Sequence, residues 1–573
     1  MQGLLAALWL LGLFAAAPAL RAERRYPFAD RLRDALALGV AIPLALGFVH
    51  ALYSATCWIA LAACAAIGYA RDRSGIVPRT PASPVPYVLI AALAAVAWPQ
   101  LMRPLLDGDS LSYHLPNAAS WVQSHSIWTT VTRYWWYPPA SELFASGLYA
   151  ASGPFGLPWC GLGALALLGF RIAAWARESG AQPLLADALA AATVTAYPLA
   201  LQAGTLQNDV WLAAFWLESL WTIGRDDAPA MRSVAIAALT KPQGWIFSAI
   251  ALVAARAKPK IWIAAAAAVG VWGIRDVLLW RYAILAPAST AYGSTFASSI
   301  LAHGIAGLAL FARVAFVASP FVLLAIAAAL LGPFYARRDA RLAWSGSAAA
   351  LLFFALPFGF ASNVAQLATG ASLRFAAPAI AAGALLLARP ATRVATIATL
   401  LLWASTLFGA FVVLALFAND APTLLAPLVA LLAIGVVALT RRQRAAWAIP
   451  AGIVAGAIAG SLLAASHPVD FYADALRVSG RATGLYAWIA RRQPDAIGGT
   501  GLALGAVNVL SPRTRTVEAG DVAACALAGR DRLWLVAVAE DGRAAAFNAR
   551  RLRDARACGA VLYDDGSAVV ASP

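Results

Sequence analysis

Apolar runs alternate with short polar segments over most of the chain. A membrane-spanning helix needs about 20 predominantly apolar residues, and the first run of this kind is Met1–Leu20. No basic residue precedes it, so we expect a retained helix rather than a cleaved signal. The next run, from Asp34 to Ala70, is long enough for two helices that break near His50. Further runs lie at 87–106, 157–176, 184–201, 209–223, 261–285, 320–335, 342–360, 375–388, 394–417, 422–439 and 447–465. The pattern predicts an all-α polytopic membrane protein with about 13 to 15 transmembrane helices.

The C-terminal segment has a different pattern. Thirteen arginines and eleven acidic residues lie between Asp470 and the C-terminus. An apolar stretch at 501–510 lies within this segment, whose periodicity predicts helices at 484–492 and 545–557, a strand at 533–539 and a hairpin over 564–566. We therefore predict a membrane domain over 1–466 and a small soluble α/β domain over 467–573. Cys525 and Cys558 both lie in this domain, and we expect them within bridging distance if it is exported.

Composition excludes a soluble globular protein, because 62% of the residues are hydrophobic and 12% are charged, with a mean hydropathy of +0.72. The net charge of +16 is concentrated in short clusters between apolar runs. Such clusters mark cytoplasmic loops, so the charge favours a membrane topology over nucleic-acid binding. The clusters are 21–33, 71–79, 171–177, 256–260, 337–341, 389–393 and 441–444. The loops 106–140, 202–209, 286–301 and 362–374, together with the C-terminal domain, are then expected on the extracytoplasmic side.

The first external loop, 107–142, carries the strongest chemical signal. Asp107 and Asp109 follow an apolar run directly, and Tyr113, His114 and Glu142 lie in the same loop. Two carboxylates at the mouth of the membrane suit a general base whose pKa is tuned by partial burial and by a nearby like charge. A solvated helix end is the alternative. The histidines and cysteines show no metal-ligand spacing, so we predict no metal motif, while a divalent metal requirement stays open.

Three cations are candidates for holding an anion. Lys241 is one of three lysines and interrupts the apolar stretch 233–255, which predicts a short hairpin or broken helix. A cation at this depth is costly unless it faces a water-filled cavity or a lipid phosphate; a snorkelling lysine at a turn is the alternative. Arg374 follows a polar loop and suits bidentate phosphate binding or an interfacial anchor. Arg275 lies beside Asp276, which favours a structural ion pair, although both side chains could line the cavity.

Six ordered motifs between about residues 86 and 390 resemble bacterial membrane glycosyltransferases of the GT-C fold. Two are in the first external loop: Asp-Ser-Leu-Ser-Tyr-His-Leu-Pro at 109–116 and Tyr-Pro-Pro-x-x-Glu at 137–142. The others are Gln-Asn-Asp-Val-Trp at 207–211, Thr-Lys-Pro at 240–242, Trp-x-x-Arg-Asp at 272–276 and Arg-Phe-x-x-Pro at 374–378. Asp276 stands where the family has Asn. Protein O-mannosyltransferases and lipid A aminoarabinose transferases share this fold.

The resemblance implies an enzyme of the bacterial cytoplasmic (inner) membrane with its active site on the periplasmic side. Such an enzyme moves a hexosyl or pentosyl group from a polyprenyl phosphate donor to a lipid, glycan or protein acceptor by inverting displacement. Asp109 aligns with the family's base and Asp107 is then additional. The family often has Asp-Glu here, so the partner acid stays open between Asp209 and Glu142. The remaining implied roles are donor phosphate binding by Lys241, Arg374 and Arg275, and substrate binding by Tyr113, His114 and Glu142.

Two other classes compete with this interpretation. A transporter or flippase of lipid-linked glycans needs an intramembrane path and often shows inverted repeats, and the sequence shows no repeat. For Tyr113 and His114, simple packing in an aromatic loop is an equal alternative to substrate binding. A non-catalytic membrane scaffold would not require Asp109, Asp209, Lys241 and Arg374 near one membrane face, so their placement argues against it.

Overall fold

The structure, a computed structural model, describes only part of the chain. The described residues are 2–20, 27–71, 89–90, 92–93, 96–97, 105, 107–283, 299–356, 371–388, 483–500, 504–518, 525, 533–539 and 545–572. The apolar runs predicted at 394–417, 422–439 and 447–465, most of the run at 87–106, and the predicted domain boundary at 466 lie outside these residues.

Three helices open the chain: α1 (Gln2–Ala16), α2 (Phe28–Phe48) and α3 (Ser54–Arg71). His50, between α2 and α3, has a φ of +56°, a left-handed conformation that a continuing helix does not contain. The prediction of two helices that break near His50 is therefore confirmed.

The central part of the chain is helical as well. Several of its helices begin with proline, which has no backbone N–H to leave unpaired and whose φ is preset for a first turn. The helices are α4 (Leu115–Gln123), α5 (Ala140–Ser152), α6 (Trp159–Glu178), α7 (Pro183–Thr195), a single turn at Tyr197–Ala200, α8 (Asp209–Thr222), α9 (Asp227–Ala238), α10 (Pro242–Ala254), α11 (Pro259–Leu279), α12 (Gly304–Ala318), α13 (Pro320–Tyr335), α14 (Ala340–Ala355) and α15 (Ala377–Leu387).

Four helical segments within the described residues are long and apolar enough to cross a membrane. They are Gly3–Leu20, Ser54–Arg71, Trp159–Glu178 and Pro259–Tyr282. Six shorter apolar helices of 10–17 residues accompany them. The helical membrane character predicted from the sequence is thus present, and the number of 13 to 15 spans stays a prediction.

A buried ionic cluster joins α2, α6 and α8. Arg33 binds Asp34 at 2.9 Å, and Arg171 binds Glu218 at 2.6 Å and also contacts Asp30. Each arginine side chain is at most 2% exposed. Arg33 therefore lies in the helix core rather than in the predicted basic cluster 21–33 between helices, and Arg171 lies in the core of the predicted run 157–176. Each has carboxylate partners that compensate its burial. The sidedness of the membrane stays a prediction.

The C-terminal domain contains a five-stranded sheet. Its strands are β1 (Ala496–Thr500), β2 (Arg515–Glu518), β3 (Trp534–Val538), β4 (Ala560–Asp564) and β5 (Ala568–Ser572), in the order β2-β1-β3-β5-β4. β1 pairs in parallel with β2 and β3, while β5 pairs antiparallel with β3 and β4. The helices are α16 (Thr483–Arg492), α17 (Leu504–Leu510) and α18 (Ala545–Arg556).

Most elements predicted for this domain are present. The helices near 484–492 and 545–557, the strand near 533–539 and the hairpin over 564–566 are all found. Cys525 and Cys558 form a disulfide with a Cα–Cα distance of 5.3 Å, as expected. The sequence did not predict β1, because its glycine pair Gly498–Gly499 interrupts the apolar pattern.

Candidate active site

The acidic start of the first external loop folds into a tight helical turn. Residues Ser110–His114 form a π-helical turn, in which the Leu115 N–H donates to the Ser110 carbonyl. Asp107 caps this turn, because its Oδ2 accepts a hydrogen bond from the Ser110 N–H at 2.9 Å. Single π turns are rare in proteins overall, but those that occur are often found at functional sites. The turn gives the two neighbouring carboxylates different environments.

Asp107 has a structural role in the loop. Besides Ser110, its Oδ2 accepts from the Gln207 amide at 3.2 Å. Burial raises the pKa of Asp107, and the hydrogen bonds from Ser110 oppose that effect. Asp107 therefore anchors the π turn to the loop that precedes α8.

Asp109 opens a row of four alternating charges. Arg374 Nη2 lies 2.6 Å from Asp109 Oδ2, and Arg374 Nε lies 3.6 Å from Asp209 Oδ2. Lys241 Nζ contacts Asp209 at the other end of the row. Asp209 and Lys241 are buried, whereas the Asp109 side chain is 38% exposed. The row thus runs from an accessible carboxylate to a buried ammonium group.

Hydrogen bonds hold the segments that carry these charges. The Ser110 hydroxyl accepts from the Leu206 N–H at 2.8 Å, which ties the π turn to the loop before α8. The Asn208 amide donates to the Thr240 carbonyl at 3.0 Å, which ties the same loop to the turn bearing Lys241. Lys241 itself is extended and directly precedes α10. Asp209, at the first position of α8, is consequently fixed between the other two segments.

An aromatic ring packs against both cations. The Phe375 ring centroid lies 5.1 Å from Lys241 Nζ and 5.0 Å from Arg374 Cζ. Cations within about 6 Å of a ring face are attracted by the ring quadrupole. Phe375 therefore helps to keep the ammonium and guanidinium groups together.

His114 and Glu142 form a second, buried pair beside the row. His114 Nδ1 lies 2.6 Å from Glu142 Oε1, and the Ser141 hydroxyl donates to Glu142 Oε2 at 2.8 Å. The pair fixes the His114 ring.

Tyr113 lies between the two groups of charges. Its ring centroid is 4.0 Å from that of His114 and 4.5 Å from that of Tyr134. Burial, followed by the charges of Asp109 and Glu142, raises the pKa of Tyr113 well above its ordinary value. The Tyr113 hydroxyl therefore stays protonated and is available as a hydrogen-bond donor.

Arg275 makes its contacts elsewhere. Its guanidinium donates to the carbonyls of Ile127, Thr129 and Trp135 at 2.7–2.9 Å and to Asp276 at 2.7 Å. These contacts clamp the aromatic part of the first external loop rather than join the row of charges. The geometry therefore favours the structural ion pair over a role in donor phosphate binding.

The structure thus brings together Asp109, Asp209, Lys241 and Arg374, with Tyr113 beside them. Sequence reasoning missed the structural roles of Ser110, Gln207, Asn208 and Phe375. A signal for the two amides was present, because they directly precede an acidic helix start. Among the described residues, no group of three or more His, Cys, Asp and Glu side chains is arranged to hold a metal ion.

Two solved structures are similar to this chain. One is ArnT from Cupriavidus metallidurans bound to undecaprenyl phosphate, with 16% identity, a TM-score of 0.46 and coverage of 86% of this chain and 100% of that one. The chain resembles ArnT. The apo state of the same protein gives 16% identity and a TM-score of 0.42, covering 85% of this chain and 98% of the other.

No protein-family model matches the sequence, and the comparison with curated proteins gave no match. The likeness to ArnT is distant, and the functional argument therefore rests on the side-chain geometry of the row.

Proposed function

We propose that this protein is a membrane glycosyltransferase. It transfers a sugar from a polyprenyl phosphate donor to a hydroxyl of an extracytoplasmic acceptor. The observation that carries this proposal is the row Asp109–Arg374–Asp209–Lys241, in which an accessible carboxylate lies next to two positioned cations.

Lys241 and Arg374 are proposed to bind the donor phosphate. Arginine supplies a planar fork of donors and lysine supplies a compact point charge, and both suit phosphate oxygens. Asp209 orients the two cations before the donor binds, because it contacts both. The burial of Lys241 strengthens its interaction with an anion, since the surrounding dielectric is low. Asp209 therefore acts as a positioning residue in this scheme.

Asp109 is proposed to be the general base. Its carboxylate takes the proton of the acceptor hydroxyl while the hydroxyl oxygen forms a bond to the anomeric carbon. The bond between that carbon and the phosphate oxygen breaks, and the phosphate leaves with the electron pair. Lys241 and Arg374 neutralise the charge on the departing phosphate. Direct displacement of this kind inverts the configuration at the anomeric carbon.

Two features favour Asp109 over Asp107 as the base. Asp109 reaches Arg374, so it lies beside the group that would hold the leaving phosphate. Asp107 Oδ2 is instead occupied by Ser110 and Gln207.

Glu142 and His114 are proposed to shape the substrate side of the site together with Tyr113. The His114–Glu142 pair holds the ring on which Tyr113 packs. A protonated Tyr113 hydroxyl can then donate to a sugar or acceptor oxygen. These groups complete the proposed active site.

The test is carrier release by the purified full-length protein. It is incubated with a panel of sugars linked to undecaprenyl phosphate and with acceptors that bear free hydroxyl groups, and free undecaprenyl phosphate is measured. The proposal predicts release with at least one donor, with inversion at the anomeric carbon of the product. Movement of intact donors across proteoliposomes without release would favour the transporter or flippase alternative and overturn the transferase.

A further inference from the structure

The C-terminal domain packs directly against the turn that carries Asp109. A Cβ atom added at Gly505, in α17, would lie 2.8 Å from Leu111 Cα and 2.9 Å from the Leu111 carbonyl oxygen. Leu111 lies in the π turn, two residues after Asp109, and is fully buried. Real Cβ atoms essentially never approach another atom this closely. Glycine at position 505 therefore allows backbone-to-backbone contact between the two domains.

Hydrogen bonds extend this contact along the first external loop. The Gln123 amide donates to the carbonyls of Pro512 at 2.8 Å and Thr514 at 3.1 Å. The Tyr149 hydroxyl donates to the Asn508 carbonyl at 3.3 Å. These donors belong to α4 and α5 and the acceptors belong to α17 and the segment after it. The C-terminal domain is thus bonded to α4 within the loop and to α5, the helix that begins at the end of the loop.

Strand β2 adds a third set of contacts. The Glu518 N–H donates to the Val131 carbonyl at 2.8 Å, and the Glu518 carboxylate accepts from the Arg133 backbone N–H at 2.8 Å and from its side chain at 2.6 Å. Arg275 binds the neighbouring carbonyls of Ile127 and Thr129. The loop is consequently held by the membrane domain through Arg275 and by the C-terminal domain through β2 and α17.

We propose that the C-terminal domain is a structural part of the active site and that Gly505 is a positioning residue for Asp109. The proposal rests on the function proposed above. α17 supports the π turn from behind, so it sets where the Asp109 carboxylate lies relative to the donor. Lys241 and Arg374 belong to other segments and both contact Asp209 and Phe375. A shift of the π turn therefore changes the position of the base, while the phosphate-binding cations keep these two partners.

Gly505→Ala tests this directly in the full-length protein. The added methyl group forces α17 and the π turn apart, and a misplacement of about 1 Å lowers turnover by up to about 10²-fold. We expect kcat to fall about 10- to 100-fold while the Kd for undecaprenyl phosphate stays within about twofold. Gly498→Ala is the matched control, because its Cβ would have its nearest neighbour at 3.6 Å, an ordinary contact; it should retain the wild-type kcat.

A second variant guards against a folding defect in the C-terminal domain. Gln123→Met removes the donor to Pro512 and Thr514 from the membrane-domain side and leaves the C-terminal domain unaltered. Gln123→Met should also lower kcat. Retention of the Cys525–Cys558 disulfide then shows that the C-terminal domain is folded. Hydrogen–deuterium exchange of residues 107–115 should increase in Gly505→Ala and in Gln123→Met and stay unchanged in Gly498→Ala.

Unchanged exchange and unchanged kcat in Gly505→Ala would overturn the proposal. Increased exchange with wild-type kcat would overturn it as well, because the contact would then have no effect on the base. Equal losses of kcat and of undecaprenyl phosphate binding would indicate general unfolding rather than positioning, and would also contradict it. If wild-type protein releases no carrier from any donor, the proposed function fails, and the exchange measurement alone then decides whether α17 holds the π turn.

Discussion

At the scale of single residues, the candidate site depends on how two buried or half-buried basic side chains are held close together. Arg374 and Lys241 would repel each other, and burial alone disfavours the charged form of an amine. Asp209 lies between them and contacts both, while Phe375 packs against both. In the proposed mechanism, the two cations exchange a carboxylate partner for a phosphate oxygen of the donor, so that each keeps an anionic partner.

Lys241→Ala should weaken undecaprenyl phosphate binding by about 10- to 100-fold, because hydrogen bonds to charged groups contribute about 1.5 to 3 kcal/mol. Binding is measured by titration of the purified protein. Lys258→Ala is the matched control, since Lys258 is 65% exposed and pairs with Asp227 away from the row. Equal affinity of the Lys241 and Lys258 variants would remove Lys241 from the donor site.

At the scale of elements, the sequence predicted which residues form the candidate site, but it did not predict the local structure that brings them together. Asp109, Asp209, Lys241 and Arg374 were identifiable because acidic and basic residues are conspicuous within apolar runs. The π turn was not, since one additional residue in a helical turn leaves no periodic signal in a stretch as short as Ser110–His114. The break near His50 was predictable because a run of that length exceeds one membrane helix.

The hydrogen bonds of Arg275 to the first external loop show why the sequence could not decide between a structural role and a ligand-binding role for this residue. Whether an arginine beside Asp276 binds a ligand or the protein depends on carbonyls about 140 residues away, and pairing over that separation is not encoded locally. The contacts with Ile127, Thr129 and Trp135 identify Arg275 as a support of the loop.

Arg275→Met should lower the free energy of unfolding by about 3 to 5 kcal/mol, because it leaves Asp276 and three carbonyls without their buried donor. Unfolding of the purified protein in detergent measures this. Arg281→Met serves as the control, because Arg281 is exposed on the segment that follows α11. Equal stability of the two variants, or a selective loss of undecaprenyl phosphate binding by Arg275→Met, would contradict the structural role.

At the scale of the whole molecule, helices and strands within residues 483–572 contact the first external loop. The change in charge density predicts a separate C-terminal domain, but it does not indicate that α17 and β2 contact the loop. Gly505 allows α17 to contact the π turn because it has no side chain. A single glycine produces no periodic pattern in the sequence from which such a contact could be predicted. The C-terminal elements are therefore joined to the loop by contacts that the composition of the chain does not predict.

The predicted topology is testable by labelling with a membrane-impermeant maleimide. Cysteine introduced as Arg550→Cys, at a side chain that is 77% exposed in the C-terminal domain, should react in intact spheroplasts. Lys258→Cys, in a predicted cytoplasmic loop, should react only after lysis. Cys64→Ala removes the half-buried free thiol from the background. The reverse labelling pattern would place the C-terminal domain inside the cell.

The disulfide should stabilise the C-terminal domain. It joins residues 33 positions apart, and a loop of this size corresponds to about 3 to 4 kcal/mol. Replacing both cysteines by serine should therefore lower the unfolding temperature of the protein, as measured by scanning fluorimetry, whereas Cys64→Ala should not. An unchanged unfolding temperature would show that this bond adds no stability.

The most direct test of the proposed mechanism compares Asp109→Asn with Asp107→Asn in the carrier-release assay. Asp109→Asn should lower kcat on the order of 10² to 10⁴-fold with undecaprenyl phosphate binding retained, as removal of a general base does. Asp107→Asn keeps an acceptor for Ser110 and Gln207, so it should retain most of the turnover. Full turnover by Asp109→Asn together with loss of activity in Asp107→Asn would show that the wrong carboxylate was assigned, and indifference to both changes would contradict the mechanism.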